Sequence, residues 1–174
     1  MIRCGAGGNH TTTGLKFEAK TNLKILLNEV PNYRIDSKNN VLFKDRLVGI
    51  ILIKYDLYKF LNKNNIKWQN YLSKKLLPDN SIYIFSKNTF YIIECKYQQV
   101  GGSVDEKLQT CDFKKKQYKK LLDSLNFGVE YIYILNDWFK KPEYRNVLAY
   151  LHSVGCDYYF NYIPLSRLGL PTVE

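Results

Sequence analysis

The chain has 174 residues, 45% of them hydrophobic and 15% aromatic, with 26 lysines and arginines against 16 aspartates and glutamates, a net charge of +10. That size and apolar content fit one folded domain with a core of its own and argue against a disordered chain. No apolar run approaches the roughly 18 residues of a membrane span and the N-terminus lacks a signal-peptide pattern, so the expectation is a soluble, cytoplasmic protein with no membrane partner. The positive charge fits a polyanionic partner such as nucleic acid; it also fits a Lys- and Asn-rich composition that follows an A+T-rich genome. Cys4, Cys95, Cys111 and Cys156 show no CxxC spacing and the chain has 2 histidines, His10 and His152, so free thiols are expected rather than disulfides or a zinc cluster.

Residues Cys4 to Gly14 are rich in turn and cap residues. Leu15, Ala19, Leu23, Leu26, Leu27 and Val30 recur at helical spacing, which predicts a helix from Leu15 to Val30, capped by Thr12 or Thr13, with Pro31 just past its end. Val41 to Phe43 and Leu47 to Ile53 read as strands, with turns at Asn39-Asn40 and Lys44 to Arg46. Tyr55 to Leu61 and Trp68 to Leu76 read as short helices. Between Lys54 and Lys75 stand Lys54, Lys59, Lys63, Lys67, Lys74 and Lys75 against Asp56 alone.

Ile82 to Phe85 and Phe90 to Tyr97 read as a β-hairpin turning at Ser86 to Thr89. Ser103 and Glu106 have the spacing of a capping box, which starts a helix running to about Leu125 with Leu108, Cys111, Leu121, Leu122 and Leu125 inward. Val129 to Leu135 is a strand, Pro142 opens a helix ending near Gly155, and Tyr158 to Ile163 is a last strand. Strand, helix and strand across residues 90 to 135 make a βαβ unit, hence a parallel pair beside an antiparallel hairpin. The fold class expected is α/β: a mixed central β-sheet flanked by helices.

The hairpin ends in Glu94-Cys95-Lys96, two charges closing an apolar strand. With Ser86 set opposite Thr89, Asp79 falls opposite Lys96 and Ser81 opposite Glu94. Directly paired residues share a face, so Asp79, Glu94 and Lys96 emerge on one side and Ile82, Ile84, Tyr91, Ile93 and Cys95 on the other. Diagonal neighbours lie about 7–8 Å apart, close enough for the Asp79 and Glu94 carboxylates to share a divalent cation. Mg²⁺ takes hard oxygens, usually one or two carboxylates with phosphate and water; the Cys95 carbonyl offers a third oxygen. The metal polarises a phosphate and acidifies a bound water, and the lysine orients that water and offsets charge on the phosphate. Glu-x-Lys alone also describes an ordinary ion pair at a strand end, and Pro-Asp an ordinary turn. The combination separates the two readings: Pro78-Asp79 enters one apolar strand and, after 14 residues, Glu94-x-Lys96 ends the next.

Pro78-Asp79 with Glu94-Cys95-Lys96 resembles the PD-(D/E)xK nuclease motif. Gly101 to Leu108 (GGSVDEKL) is similar to the segment that follows this motif in many type II restriction endonucleases, and Thr11 to Glu18 (TTTGLKFE) is similar to the start of their first helix. The resemblance implies a restriction-endonuclease-like core with a four-stranded mixed sheet, dependence on Mg²⁺ with Mn²⁺ as a substitute, no organic cofactor, and phosphodiester hydrolysis in double-stranded DNA. It puts metal ligation on Asp79 and Glu94 and water handling on Lys96. Related nucleases often carry a further acid on the first helix, for which Glu18 is the match; an exposed charge paired with Lys16 or Lys20 is the alternative.

Further contacts with DNA are expected from Gln98, two residues past Lys96, from Ser103 at a helix N-terminus, and from Lys107 one turn inside it; a polar residue at a sheet edge is the plainer reading of Gln98. Lys114 to Lys116 with Lys119 and Lys120 read as a solvated helix face. The expected organisation is a single nuclease domain over 1–174, with a core of about 14–135 and with 54–76 as a DNA-contact or dimerisation insert. The expected function is a Mg²⁺-dependent type II restriction endonuclease. A homodimer would set two sites on the strands of a palindrome. The alternatives are a homing or repair endonuclease with the same core, or a non-catalytic DNA-binding module.

Overall fold

Alternating apolar residues between Asn80 and Lys96 build the centre of the protein, whose computed structural model describes residues 14–16, 22–99 and 104–172. Strands β1 (Gly14–Lys16), β2 (Tyr33–Ile35), β3 (Asn40–Phe43), β4 (Arg46–Ile51), β5 (Asn80–Ile84), β6 (Thr89–Lys96), β7 (Gly128–Leu135), β8 (Asp157–Phe160) and β9 (Tyr162–Pro164) are joined by helices α1 (Leu23–Glu29), α2 (Tyr55–Lys63), α3 (Val104–Leu108), α4 (Cys111–Leu122) and α5 (Arg145–Ser153). Strands β2 to β8 form one 7-stranded sheet in sequence order, and β1 and β9 pair as a separate ribbon. Pairing is antiparallel from β2 to β6 and parallel from β6 to β8. This is the mixed α/β sheet expected, with 7 strands where the resemblance implied four.

Each face of the sheet buries a core. On one, Phe90, Ile92, Tyr131 and Tyr133 meet Leu57 and Leu61 of α2 and Tyr118, Leu121 and Leu122 of α4. On the other, Ile82, Ile84, Tyr91, Ile93, Ile132 and Ile134 meet Leu23, Leu26 and Leu27 of α1. Residues 54–76 supply Leu57, Tyr58, Leu61, Ile66 and Leu72 to the first core, so this lysine-rich stretch also covers the sheet. Lys75 lies 5.0–5.6 Å from the rings of Tyr55, Tyr58 and Trp68, which folds the end of that stretch back on itself. Among the described residues no helix is long and apolar enough to cross a membrane.

Four local expectations change. Leu15 is buried as predicted, but in strand β1 against Ile163 rather than in a helix, and the helix begins at Leu23. Its N-terminus is capped by Asn22, whose Oδ1 accepts the Lys24 N–H at 2.9 Å. The proposed caps Thr12 and Thr13 lie outside the described residues. Trp68 to Leu76 forms only a short 3₁₀ turn at Trp68–Asn70; the Tyr58 hydroxyl both donates to the Leu76 carbonyl (2.9 Å) and accepts its N–H (2.7 Å), holding the chain extended there.

The long helix after residue 103 is broken between Leu108 and Cys111. There the Thr110 hydroxyl bonds the Lys107 carbonyl (2.7 Å), a local alternative to the helical ladder. The last strand splits at Asn161, whose positive φ of 57° turns the chain out of the main sheet and into the ribbon.

Candidate active site

The hairpin register decides what stands beside what. Strands β5 and β6 pair Asn80↔Ile93 through Ile84↔Thr89, closing a loop over 85–88 in which Asn88 takes a φ of +47°. The expected register was two residues away, with Ser81 opposite Glu94; Ser81 pairs Ile92 instead. A slip of two preserves the face of every side chain where a slip of one would invert it. Ile82, Ile84, Tyr91 and Ile93 therefore share the second core, with Cys95 packed against it, while Phe90 and Ile92 occupy the first. Extending the observed register puts Asp79 across from Glu94 itself, not from Lys96.

Asp79 stands between two anchored neighbours. The Pro78 carbonyl accepts the Lys54 N–H at 2.8 Å, and the buried Asn80 side chain accepts the Leu23 N–H at 2.9 Å. Asp79 itself is exposed and lines a cavity of about 80 Å³ with Leu76, Glu94, Lys114, Tyr118 and Tyr131. At roughly 30 Å³ per water, that space admits a small ion and a few waters.

Glu94 is the hub. Its Oε1 accepts from Lys96 Nζ at 2.6 Å and from Lys114 Nζ at 2.9 Å; its Oε2 accepts from Lys114 Nζ at 3.0 Å and from the Tyr131 hydroxyl. The side chains of Glu94, Lys96 and Lys114 are 16%, 20% and 30% exposed, so these pairs are only partly screened by solvent. Burial pushes the Glu94 carboxyl toward protonation, but the charge and hydrogen bond of Lys96, the hydrogen bond from Tyr131 and the charge of Lys114 outweigh it and hold the pKa below its usual value. Burial and the adjacent Glu94 charge push Tyr131 strongly upward, so its hydroxyl stays a donor.

Lys114 and Tyr131 were not singled out from sequence, although Lys114 carried a signal. It lies three residues past buried Cys111 and four before buried Tyr118, on the inward stripe of α4. The expectation of a solvated lysine face therefore fails at this position.

Of the remaining predicted residues, Cys95, Gln98 and Lys107 are described. Burial raises the Cys95 thiol to about 12, so it stays neutral and offers a hard cation only its main chain. The Lys96 carbonyl accepts the Asn136 N–H on the β7 side (3.3 Å). Carbonyls alternate along a strand, so that of Cys95 faces the β5 side, where pairing stops at Asn80↔Ile93. Gln98 follows the end of β6, is 7% exposed, and is fastened by its backbone to the Asn136 side chain (3.2 and 2.7 Å). Lys107 is exposed on α3, and its carbonyl accepts the Tyr133 hydroxyl at 3.1 Å. Glu18 and Ser103 lie outside the described residues.

Among the described residues no group of three or more His, Cys, Asp or Glu side chains is placed to hold a metal. The oxygens that could hold a cation here, those of Asp79 and Glu94 with a backbone carbonyl, are hard donors of the kind Mg²⁺ takes together with phosphate and water. The two ammonium groups on Glu94 already mark it as a position that attracts cations.

Residues 49–119 match the family model of a PD-(D/E)XK nuclease superfamily domain. That span contains Asp79, Glu94, Lys96 and Lys114 and ends before Tyr131. Searches of curated proteins and of solved structures found no match. The mixed 7-stranded sheet with helices on both faces is consistent with the α/β core of that superfamily.

Proposed function

We propose that this chain, whose residues 49–119 match a PD-(D/E)XK nuclease superfamily domain, is a Mg²⁺-dependent type II restriction endonuclease that hydrolyses phosphodiester bonds at specific sites in double-stranded DNA and works as a homodimer. The superfamily match carries the nuclease part. The finer reading rests on one observation: Asp79 and Glu94 line the same small cavity, with Lys96 bonded to Glu94.

In this reading Asp79, Glu94 and the Cys95 carbonyl would hold a divalent cation. A divalent cation bound there supplies Lewis-acid polarisation of the phosphate and an acidified water. Lys96 presents its ammonium beside Glu94, where it orients the attacking water and opposes negative charge gathering on the phosphate. Tyr131, unable to ionise at neutral pH, fixes one oxygen of Glu94 and leaves the carboxylate a single orientation. Lys107, exposed on α3, contacts the DNA backbone; Gln98 and Ser103 are the further DNA contacts of this reading and Glu18 its additional acid. The lysines of 54–76 extend the DNA-contact or dimer surface.

The test is incubation of the purified protein with plasmid or phage DNA in Mg²⁺ or in EDTA. Discrete fragments with Mg²⁺ only, lost in Asp79→Asn and in Glu94→Gln while DNA binding persists, support the assignment. Near wild-type cutting by either variant overturns it. A ladder without discrete sites removes the restriction part and leaves a less specific nuclease such as a repair enzyme. Binding without cutting leaves a DNA-binding module.

A further inference from the structure

A second cavity, of about 540 Å³, lies at the β8 edge of the sheet. Arg145, Leu148, Ala149 and His152 line one wall as a single stripe of α5, at the i, i+3, i+4, i+7 spacing of one helix face. Tyr158 and Phe160 of β8 form the floor, and Lys140 and Lys141 the far rim. The rings lie in different planes: Tyr158 meets Phe160 edge to face at 5.6 Å, and His152 is tilted against Tyr158 at 4.8 Å, so one ring at a time can offer its face to a flat ligand. Among the described residues no carboxylate lines the groove, although Asp137 pairs with Lys140 at 2.8 Å and Asp157 lies 3.4 Å from His152.

Its position ties it to the candidate active site. The parallel register runs Glu94↔Tyr133↔Tyr158 and Lys96↔Leu135↔Phe160. The groove floor thus stands in the same two rows as Glu94 and Lys96, on the same face of the sheet. Two strand spacings, about 10 Å, separate them.

We propose that this groove binds an unpaired stretch of nucleic acid beside the cleavage pocket, a base stacking on Phe160 with Tyr158 against its edge and the flanking phosphates lying on Lys141 and Arg145. Aromatic platforms rimmed by basic side chains recognise single strands because every exposed base offers a π-face. A duplex hides those faces and presents edges and phosphates, for which the apolar floor has no use. Among the described residues no Asn, Gln, Asp or Glu lines the groove, so the bidentate amide contact that reads adenine is missing and stacking carries the binding. Lys140, whose ammonium lies 5.2 Å from the Phe160 ring centre, gives up that ring to the base and moves to the phosphate. The proposal takes only its ligand class from the nuclease reading.

The experiment measures anisotropy of a short labelled oligothymidylate and of a blunt duplex, both in EDTA, with inorganic polyphosphate as a base-free competitor. Phe160→Leu should weaken oligothymidylate binding roughly 5- to 10-fold, the loss of one stacked base, with Phe160→Trp restoring it and polyphosphate competition unchanged. Lys141→Ala with Arg145→Ala should weaken both single strand and polyphosphate. A folded Phe160→Leu protein that holds oligothymidylate like wild type overturns the proposal. So does an equal loss for the blunt duplex, or a shift of oligomeric state in sedimentation, which would make the groove a contact between protein copies. Because binding is read without metal, wild-type protein that fails to cut DNA in Mg²⁺ while showing the Phe160 effect refutes the nuclease reading and upholds the groove.

Discussion

Lys114 Nζ spans both carboxylate oxygens of Glu94, at 2.9 and 3.0 Å, from a helix 20 residues further along the chain. With Lys96 on Oε1 as well, one carboxylate holds two ammonium groups. These charges neutralise Glu94, and at the proposed cation site they would compete with a divalent ion. Lys114→Met should therefore bind Mg²⁺ or Mn²⁺ more tightly, roughly 2- to 5-fold, the size of a solvent-reached ion pair. Titration calorimetry without DNA reads this directly. Unchanged affinity would show that Lys114 withdraws at no cost.

Tyr131 makes a different prediction, one of pH. Burial opposes ionisation of Glu94, but Lys96, Tyr131 and Lys114 outweigh it and depress its pKa. A depressed carboxylate contributes stability that is fully present above its unfolded pKa, about 4.3, and is lost as pH falls through the folded value. Tyr131→Phe removes one depressing bond, so the folded pKa rises toward the unfolded one and the acid-dependent part of stability shrinks. Thermal melts at neutral pH and at successive points below pH 4.3 should show a shallower acid loss in the variant than in wild type, starting from a slightly lower melting temperature at neutral pH. Identical profiles would mean the hydroxyl has no hold on Glu94.

How much of this was legible in the sequence depends on the range of each contact. The hairpin, its charged end and the parallel strand after α4 follow from local alternation and turn residues, and the match over 49–119 lies on that part of the chain. The hairpin register differs by two from the expected one because a loop over 85–88 and one over 86–89 fit the same residues; burial fixes only side-chain parity, which both share. The pairing of Leu15 with Ile163 joins residues almost 150 positions apart, and no periodicity announces it. Tyr131 reaches Glu94 because β7 lies parallel to β6 with Ile92 beside Tyr131, a register that sequence pattern leaves open. Lys114 was recoverable: a lysine between two buried positions of an inward helical stripe asks for a partner inside.

DNA affinity should fall steeply with salt. The net charge is +10, and each lysine or arginine that meets a phosphate adds about −0.9 to the slope of log K against log salt. Binding measured in Ca²⁺ or EDTA across a salt series should give a slope steeper than about −3. Lys107→Ala should make it shallower by roughly one while weakening all sequences alike. A slope unaltered in Lys107→Ala would remove that residue from the DNA contact.

Asn80 tests whether the scaffold, rather than the acids alone, sets the cavity. Its side chain is 4% exposed and its Oδ1 accepts the first N–H of α1, that of Leu23, at 2.9 Å, joining residues 57 apart. The same residue opens β5 directly after Asp79 and pairs with Ile93 directly before Glu94. Asn80→Ala leaves the Leu23 N–H buried without an acceptor, which costs about 1–3 kcal/mol, or several degrees of melting temperature for a chain of this length. The more telling readout is cation binding. If Asn80 holds Asp79 opposite Glu94, the variant still folded at low temperature should bind Mg²⁺ more weakly than wild type. Full affinity in a destabilised variant would mean that Pro78, tied to Lys54 at 2.8 Å, is enough to place Asp79 alone.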